Sequence, residues 1–322
     1  MKAVVATDYG TPEQFTVMEV PAPQPGPGQI QVRISAASLN PTDIRLPGGE
    51  YRGAVELGFP HVPGNDFAGT VSQIGPGVTA FQVGDEVFGE AVPRAMRAVA
   101  SPTRPSLSTG SLAEYAVFEA DTPLIAHRPA KLSAPDAAAL ATAGLTALTL
   151  IGTAEVKEDE SVLVVGATGG VGTAVVPLLA AAGARVIATG TPADADILRS
   201  LGAAEVIGYA EADYPSSVDT AFNLTLPSDR LTSIARALRP GGRLVTIVYP
   251  PAQPDQLGRD DVDLRFVLDL GGEFGAMREV GELAVAGRLP ATISRRYTLD
   301  QGPQACVDLV RTHTLGKLVV TM

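Results

Sequence analysis

At 322 residues, with 45% apolar and 18% charged side chains, the chain has the composition of one large or two ordinary globular domains and none of the marks of disorder. Its net charge of −11 leaves no overall positive field to draw in nucleic acid or an anionic membrane. A single cysteine, Cys306, excludes an intramolecular disulfide and any cysteine-built zinc site. The N-terminus carries no long apolar segment, and later apolar runs are broken by Gly, Pro or charge before they reach spanning length. A cytoplasmic protein is expected.

The first 120 residues read as short strands. Residues 2–6 and 15–20 alternate, and PAPQPGPG at 21–28 can be neither helix nor central strand. QIQVRISA at 29–36 alternates polar and apolar residues, as a half-buried strand does. Further strands are predicted at 67–74, 83–88 and 112–118, punctuated by Gly and Pro in the manner of a small β-barrel. The period then changes, and residues 134–150 are Ala- and Leu-rich and helical.

VLVVGATGGVGT at 162–173 is the stretch around which the rest is arranged. A run of β-branched and apolar residues ends at Gly166, glycines recur at 169 and 172, and an Ala-rich helical segment follows. This predicts a buried parallel strand, a tight glycine turn and a helix that starts inside it. One glycine lets the chain reverse, one lets backbone N–H groups approach a pyrophosphate, and one lets the helix pack on the strand. The GxxGxxG spacing is one residue longer than the usual dinucleotide fingerprint, and a purely structural βα turn has the same look. Strands at 185–189, 205–207, 218–222 and 243–248, each after a helix-like segment, predict a doubly wound α/β sheet. Residues 264–268 are a candidate edge strand, 273–288 have helical spacing, and 316–321 close as a strand. Pro177 falls inside the predicted helix, where it should kink it or meet a free carbonyl.

Several segments together resemble the medium-chain dehydrogenase/reductase superfamily, and within it the zinc-free quinone oxidoreductase (zeta-crystallin-like) family. They are QVRISAASLNPTD (31–43), VPGNDFAGTVSQIGPGV (62–78), VGDEVFG (83–89), GSLAEYAV (110–117), AALATAGLTAL (138–148), VLVVGATGGVG, LGAAEVIGY (201–209) and GGRLV (241–245). They run in the family's order over nearly the whole chain. The resemblance implies a GroES-like β-barrel catalytic domain over 1–121, completed by 259–322, around a Rossmann NADP-binding domain over 122–258. It implies hydride transfer from NADPH to a quinone or an α,β-unsaturated carbonyl, in a homodimer built by extending the sheet at the edge strand. It also implies cofactor contacts at Asn40, Thr146, Gly166, Thr168, Gly169, Gly170, Val171, Gly172, Thr189, Gly190, Thr191, Tyr209, Val248 and Tyr249.

Zinc-dependent relatives use a Cys two residues before a hydroxyl–Asp pair and the His of a GHE motif. Those positions read Asn40 and Asn65 here, and the third falls in AALATAGLTA, which has no Cys or His. Zinc needs three ligands drawn from thiolate, imidazole and carboxylate, so no metal is expected. Without a Lewis acid alcohol oxidation is disfavoured, whereas a quinone or enone spreads the delivered charge through its own conjugation. By position Asn40 lies beside the nicotinamide, Tyr51 lines the substrate cleft, and Thr42 stands at the proton-relay hydroxyl. Arg45 replaces a family tyrosine and would put a cation where an enolate or hydroquinone oxygen develops charge. Plainer readings stand beside these. Thr42 and Asp43 also suit turn capping after a proline, Arg45 and Tyr51 an exposed loop, and His61, His127 and His313 packed or surface positions.

An NAD site places Asp or Glu about twenty residues beyond the glycine turn to hold the ribose 2′-OH. Thr189, Gly190 and Thr191 stand there instead, and Tyr209 matches a family tyrosine that lies against the adenosine phosphate. NADPH is therefore expected, although Asp194 stands where the family often has Lys. Residues 91–109, with Arg94, Arg97 and Arg104, suit either a lid over an anionic or bulky aromatic substrate or a surface loop. Two further functions are consistent with the sequence: a dedicated enoyl or enone reductase of a biosynthetic pathway, and a non-catalytic NADPH-binding redox sensor.

Overall fold

A computed structural model describes residues 1–53, 56–91, 110–269 and 271–322. Of the arginine-bearing stretch 91–109, all but Ala91 lies outside the described residues. The chain begins with β1 (Lys2–Val5) and β2 (Thr16–Glu19), an antiparallel pair. β3 (Gln29–Ser38) leads into the short helix α1 (Pro41–Arg45), and β4 (Asp66–Ile74), β5 (Glu86–Glu90), β6 (Tyr115–Glu119) and β7 (Ile125–His127) follow. The long helix α2 (Ala134–Ala154) comes next, started by Ser133, whose Oγ accepts from the Asp136 N–H.

The second half alternates strand and helix: β8 (Ser161–Val165), α3 (Gly170–Ala181), β9 (Arg185–Thr189), α4 (Ala195–Ser200), β10 (Glu205–Ile207), β11 (Val218–Asn223), α5 (Thr232–Ala237), β12 (Leu238–Thr246) and β13 (Asp263–Phe266). The chain ends with α6 (Met277–Val285), β14 (Ile293–Thr298), α7 (Gly302–Arg311) and β15 (Lys317–Thr321).

Six strands form an all-parallel sheet in the order β10-β9-β8-β11-β12-β13. The order reverses between β8 and β11, and in such sheets the crevice beyond the strand ends at that reversal is where ligands bind. The glycine turn leaves β8 at this point. The other sheet runs β14-β15-β3-β4-β5-β7, and the first half of β3 also pairs with β6. The GroES-like and Rossmann-like architecture follows the expectation from sequence. β7 pairs with β5, so the first sheet extends to residue 127, and β13 pairs with β12, so the parallel sheet extends to residue 266.

α2 joins the two halves. It has the length and apolarity to cross a membrane, yet most of it is buried among β3, β4, β5, α3 and α6. Small residues make that possible: Ala137, Ala138, Ala139, Ala141, Ala143 and Gly144 let sheets and helices come close on several sides. α3 continues through Pro177 to Ala181, so the proline does not end the helix.

Candidate active site

The turn between β8 and α3 begins at Gly166, whose φ of +95° lies in the region that favours glycine. A Cβ on Gly172 would overlap Gly166 O and lie 2.5 Å from Ala167 Cα, so helix and strand meet there backbone to backbone. Gly169, Gly170 and Val171 open α3 with their backbone exposed or half-exposed at its N-terminus, the end of a helix that attracts an anion. The Thr189 hydroxyl, fully buried, accepts from Gly166 N–H and donates to Val164 O. Thr189 therefore braces the turn from beneath.

Beyond the turn lies the region expected to hold the adenosine end. Thr168 and Tyr209 hydroxyls are 3.1 Å apart, and Tyr209 is half-exposed. The Asp194 carboxylate, which stands where the family often has Lys, accepts from Thr191 N–H (2.8 Å) and Thr191 Oγ1 (2.6 Å). His313, from the loop before β15, places Nε2 2.9 Å from the same oxygen. Burial works to raise the Asp194 pKa, but the bonds from Thr191 and His313 outweigh it and hold the carboxyl below its usual range. Gly190 is buried beside Leu198, and its N–H donates to Ile207 O.

On the other side of the cleft, one row across the antiparallel sheet is polar: Ser38, Asp66 and Glu90 stand opposite one another on β3, β4 and β5. Asp66 is fully buried and receives four donors, from Ser38 Oγ (2.7 Å), Thr142 N–H (3.1 Å), Thr142 Oγ1 and Lys317 Nζ (3.0 Å). Lys317 Nζ also donates to Asn40 Oδ1 at 2.6 Å. Asn40 precedes α1, and its backbone N–H is held at 2.7 Å by Asp43, the first-turn acid that serves as cap. Among the described residues Asn40 Nδ2 has no partner, although the residue is only 6% exposed. The site thus holds one free, buried amide donor.

Burial is the largest cause that pushes Asp43 up to about 7 and Glu90 up to about 8, with the charge of Asp66 adding to both. Arg45 is not a lone cation over the cleft, since its Nε lies 3.6 Å from Glu50 in an exposed pair. Thr42 is half-buried on α1, while Tyr51 faces Tyr249 across the domains with ring centroids 6.3 Å apart. Thr146 lies one helical turn beyond Thr142 on α2, and Val248 follows β12 with its N–H on Thr246 Oγ1. His61 is half-buried and held neutral, its pKa lowered to about 4 by loss of solvent, and His127 pairs with Asp85. Lys317, Glu90, Thr142, Ser38 and the pairing of His313 were not legible in the sequence, because each acts through partners far away along the chain.

A glycine turn at a sheet reversal, facing a second domain that presents a buried amide, defines a two-domain dinucleotide-dependent oxidoreductase. Residues 26–128 match the alcohol dehydrogenase GroES-like domain, and residues 201–320 the zinc-binding dehydrogenase family. The chain is 30% identical over 321 residues to the chloroplastic quinone-oxidoreductase QR1 of Triphysaria versicolor, covering 94% of this chain and 92% of that one. It is 27% identical over 328 residues to the chloroplastic NADPH-dependent alkenal/one oxidoreductase of Arabidopsis thaliana, covering 99% and 79%. A mycobacterial protein solved in complex with NADPH superposes with a TM-score of 0.85 at 26% identity, over the whole of both chains. The chain belongs to the medium-chain dehydrogenase/reductase superfamily, in its quinone oxidoreductase-like family.

Proposed function

We propose that the protein is a cytoplasmic, homodimeric, NADPH-dependent and zinc-independent reductase of quinones or α,β-unsaturated carbonyls. The observation that carries this reading is the unpartnered, buried Asn40 Nδ2, aligned by Asp43 and Lys317 opposite a glycine turn suited to a pyrophosphate. A buried N–H without a partner costs stability and is retained where a ligand oxygen completes it. NADPH is supported by the relatives, which include an NADPH-dependent alkenal/one oxidoreductase and a structure solved in complex with NADPH.

The family label on residues 201–320 implies zinc, but the residues at this site do not fit it. Asn40 and Asn65 replace strong ligands, and Asp66 is paired with the Lys317 ammonium, itself a cation. Among the described residues no three of His, Cys, Asp or Glu are grouped to hold a metal. When bound, NADPH supplies the hydride. The chain's part is to place two reactants and keep them in register. The glycine turn and the start of α3 receive the phosphates, Asn40 Nδ2 offers a hydrogen bond to a carbonyl oxygen, and Tyr51 and Tyr249 flank the cleft as apolar walls with polar tips. The conjugated product takes its proton from solvent or from the Tyr51 or Thr42 hydroxyl.

The dimer is supported by β13, which ends the parallel sheet with one edge unpaired among the described residues. The function is tested by following NADPH oxidation against a panel of quinones and linear enones. Turnover of either class supports a reductase and tells which acceptor it prefers. Binding without turnover would support a redox sensor instead, and neither binding nor turnover would refute the reading.

A further inference from the structure

We infer that Lys317 is a positioning residue of this site: it fixes which way the Asn40 amide faces, and it ties that amide to the glycine turn. The inference rests on the reductase reading above. Lys317 opens β15, is only 6% exposed, and carries no motif that would mark it in the sequence as more than a strand residue.

Two ends of the residue make the link. At the backbone end, Gly316 N–H donates to Thr168 O at 2.7 Å, and Gly316 bridges to Gly169, so the chain entering β15 is fastened to the glycine turn itself. The aliphatic stem then crosses Gly170, where an added Cβ would meet Lys317 Cγ at 3.1 Å. At the other end, Nζ donates to Asn40 Oδ1 and Asp66 Oδ2.

An ammonium has donors and no acceptor. The amide atom facing it must therefore be the oxygen, and Nδ2 is left to face away. Reversing the amide would set two donors against each other beside a buried charge, so one orientation is strongly preferred. Asp66, held by Ser38 and Thr142, anchors the ammonium in turn. The donor is thus oriented before any substrate arrives, which is the condition under which a hydrogen bond contributes most to a reaction.

The test measures quinone-dependent NADPH oxidation and, separately, NADPH affinity by calorimetry. Asn40→Leu removes the Nδ2 donor without adding a charge beside Asp66. Lys317→Met is expected to lower kcat by about 30- to 100-fold, with NADPH affinity changed by less than about threefold and a larger isotope effect with deuterated NADPH. K317M/N40L should be no slower than N40L, because both changes remove the same interaction. Since K317M strands the Asp66 carboxylate, K317M/D66N is measured as well and should show the same loss. Turnover by the wild type with K317M and K317M/D66N within about threefold of it, or losses that multiply in K317M/N40L, would overturn this inference alone. A wild type that turns over no acceptor would overturn the reductase reading and this inference with it.

Discussion

Asp43 and Glu90 keep protons that water would take from them. Their pKa values rise to about 7 and about 8, burial being the main cause in each. The folded chain therefore binds more protons than the unfolded chain between the ordinary carboxylate range and those values, so raising the pH favours unfolding. The stabilising contribution is complete below the unfolded pKa and is lost as pH climbs through about 7 for Asp43 and about 8 for Glu90. Thermal melts should show the D43N/E90Q variant losing less stability than the wild type between weakly acidic and weakly alkaline pH. Equal slopes would contradict the assignment. Cys306, fully buried against α7's neighbours, has its thiol pushed up by burial, so a thiol reagent should label it only on unfolding. Labelling of the native protein at the unfolded rate would refute that burial.

Legibility at this scale divides by sequence separation. Asn40, Tyr51 and Tyr209 sit in recognisable motifs. Lys317 is 277 residues from Asn40 and 251 from Asp66, and the pairing of His313 with Asp194 spans 119. Nothing local to GKLVV announces a buried ammonium, because only the antiparallel pairing of β15 with β3 brings it to the cleft.

At the level of elements, the glycine turn is the sharpest case of sequence dictating geometry. The atoms around Gly172 are backbone and cannot yield. Gly172→Ala should abolish NADPH binding and cost about 1–3 kcal/mol of stability, read by calorimetry and by thermal melts; an alanine variant that binds normally would show that the turn tolerates separation from the helix. Pro177 is the opposite case, since it removes an N–H from the middle of α3 without any role the structure reveals. Pro177→Ala should raise stability by about 1–3 kcal/mol, and an unchanged or lowered melting temperature would mean that the helix had already adapted to the ring. The strand–turn–helix unit was legible because the apolar period changes at Gly166. β14 and α7 were not, for physical reasons. ISRRYT breaks its alternation with two exposed arginines, and GPQACVDLVR opens on Gly-Pro and buries little beyond Ala305 and Cys306.

On the scale of the whole molecule, the domains are joined by α2 and by the segment before β15. The second link, through Gly316–Thr168 and His313–Asp194, means that the last strand of the first sheet is fastened to the dinucleotide turn of the other. The GroES-like and Rossmann-like architecture was legible, but which sheet takes up β7 and β13 was not, because pairing is a long-range choice. The proposed dimer predicts a light-scattering mass of twice 33.1 kDa; a monomer at working concentration would exclude association through β13.

The most direct measurement is NADPH oxidation by protein stripped of metal and verified so by elemental analysis, with a quinone and an enone as acceptors. Undiminished turnover, set against a fall of two orders of magnitude or so in N40L, is the outcome expected here. Activity that vanishes on stripping and returns with stoichiometric zinc would contradict the account at its centre.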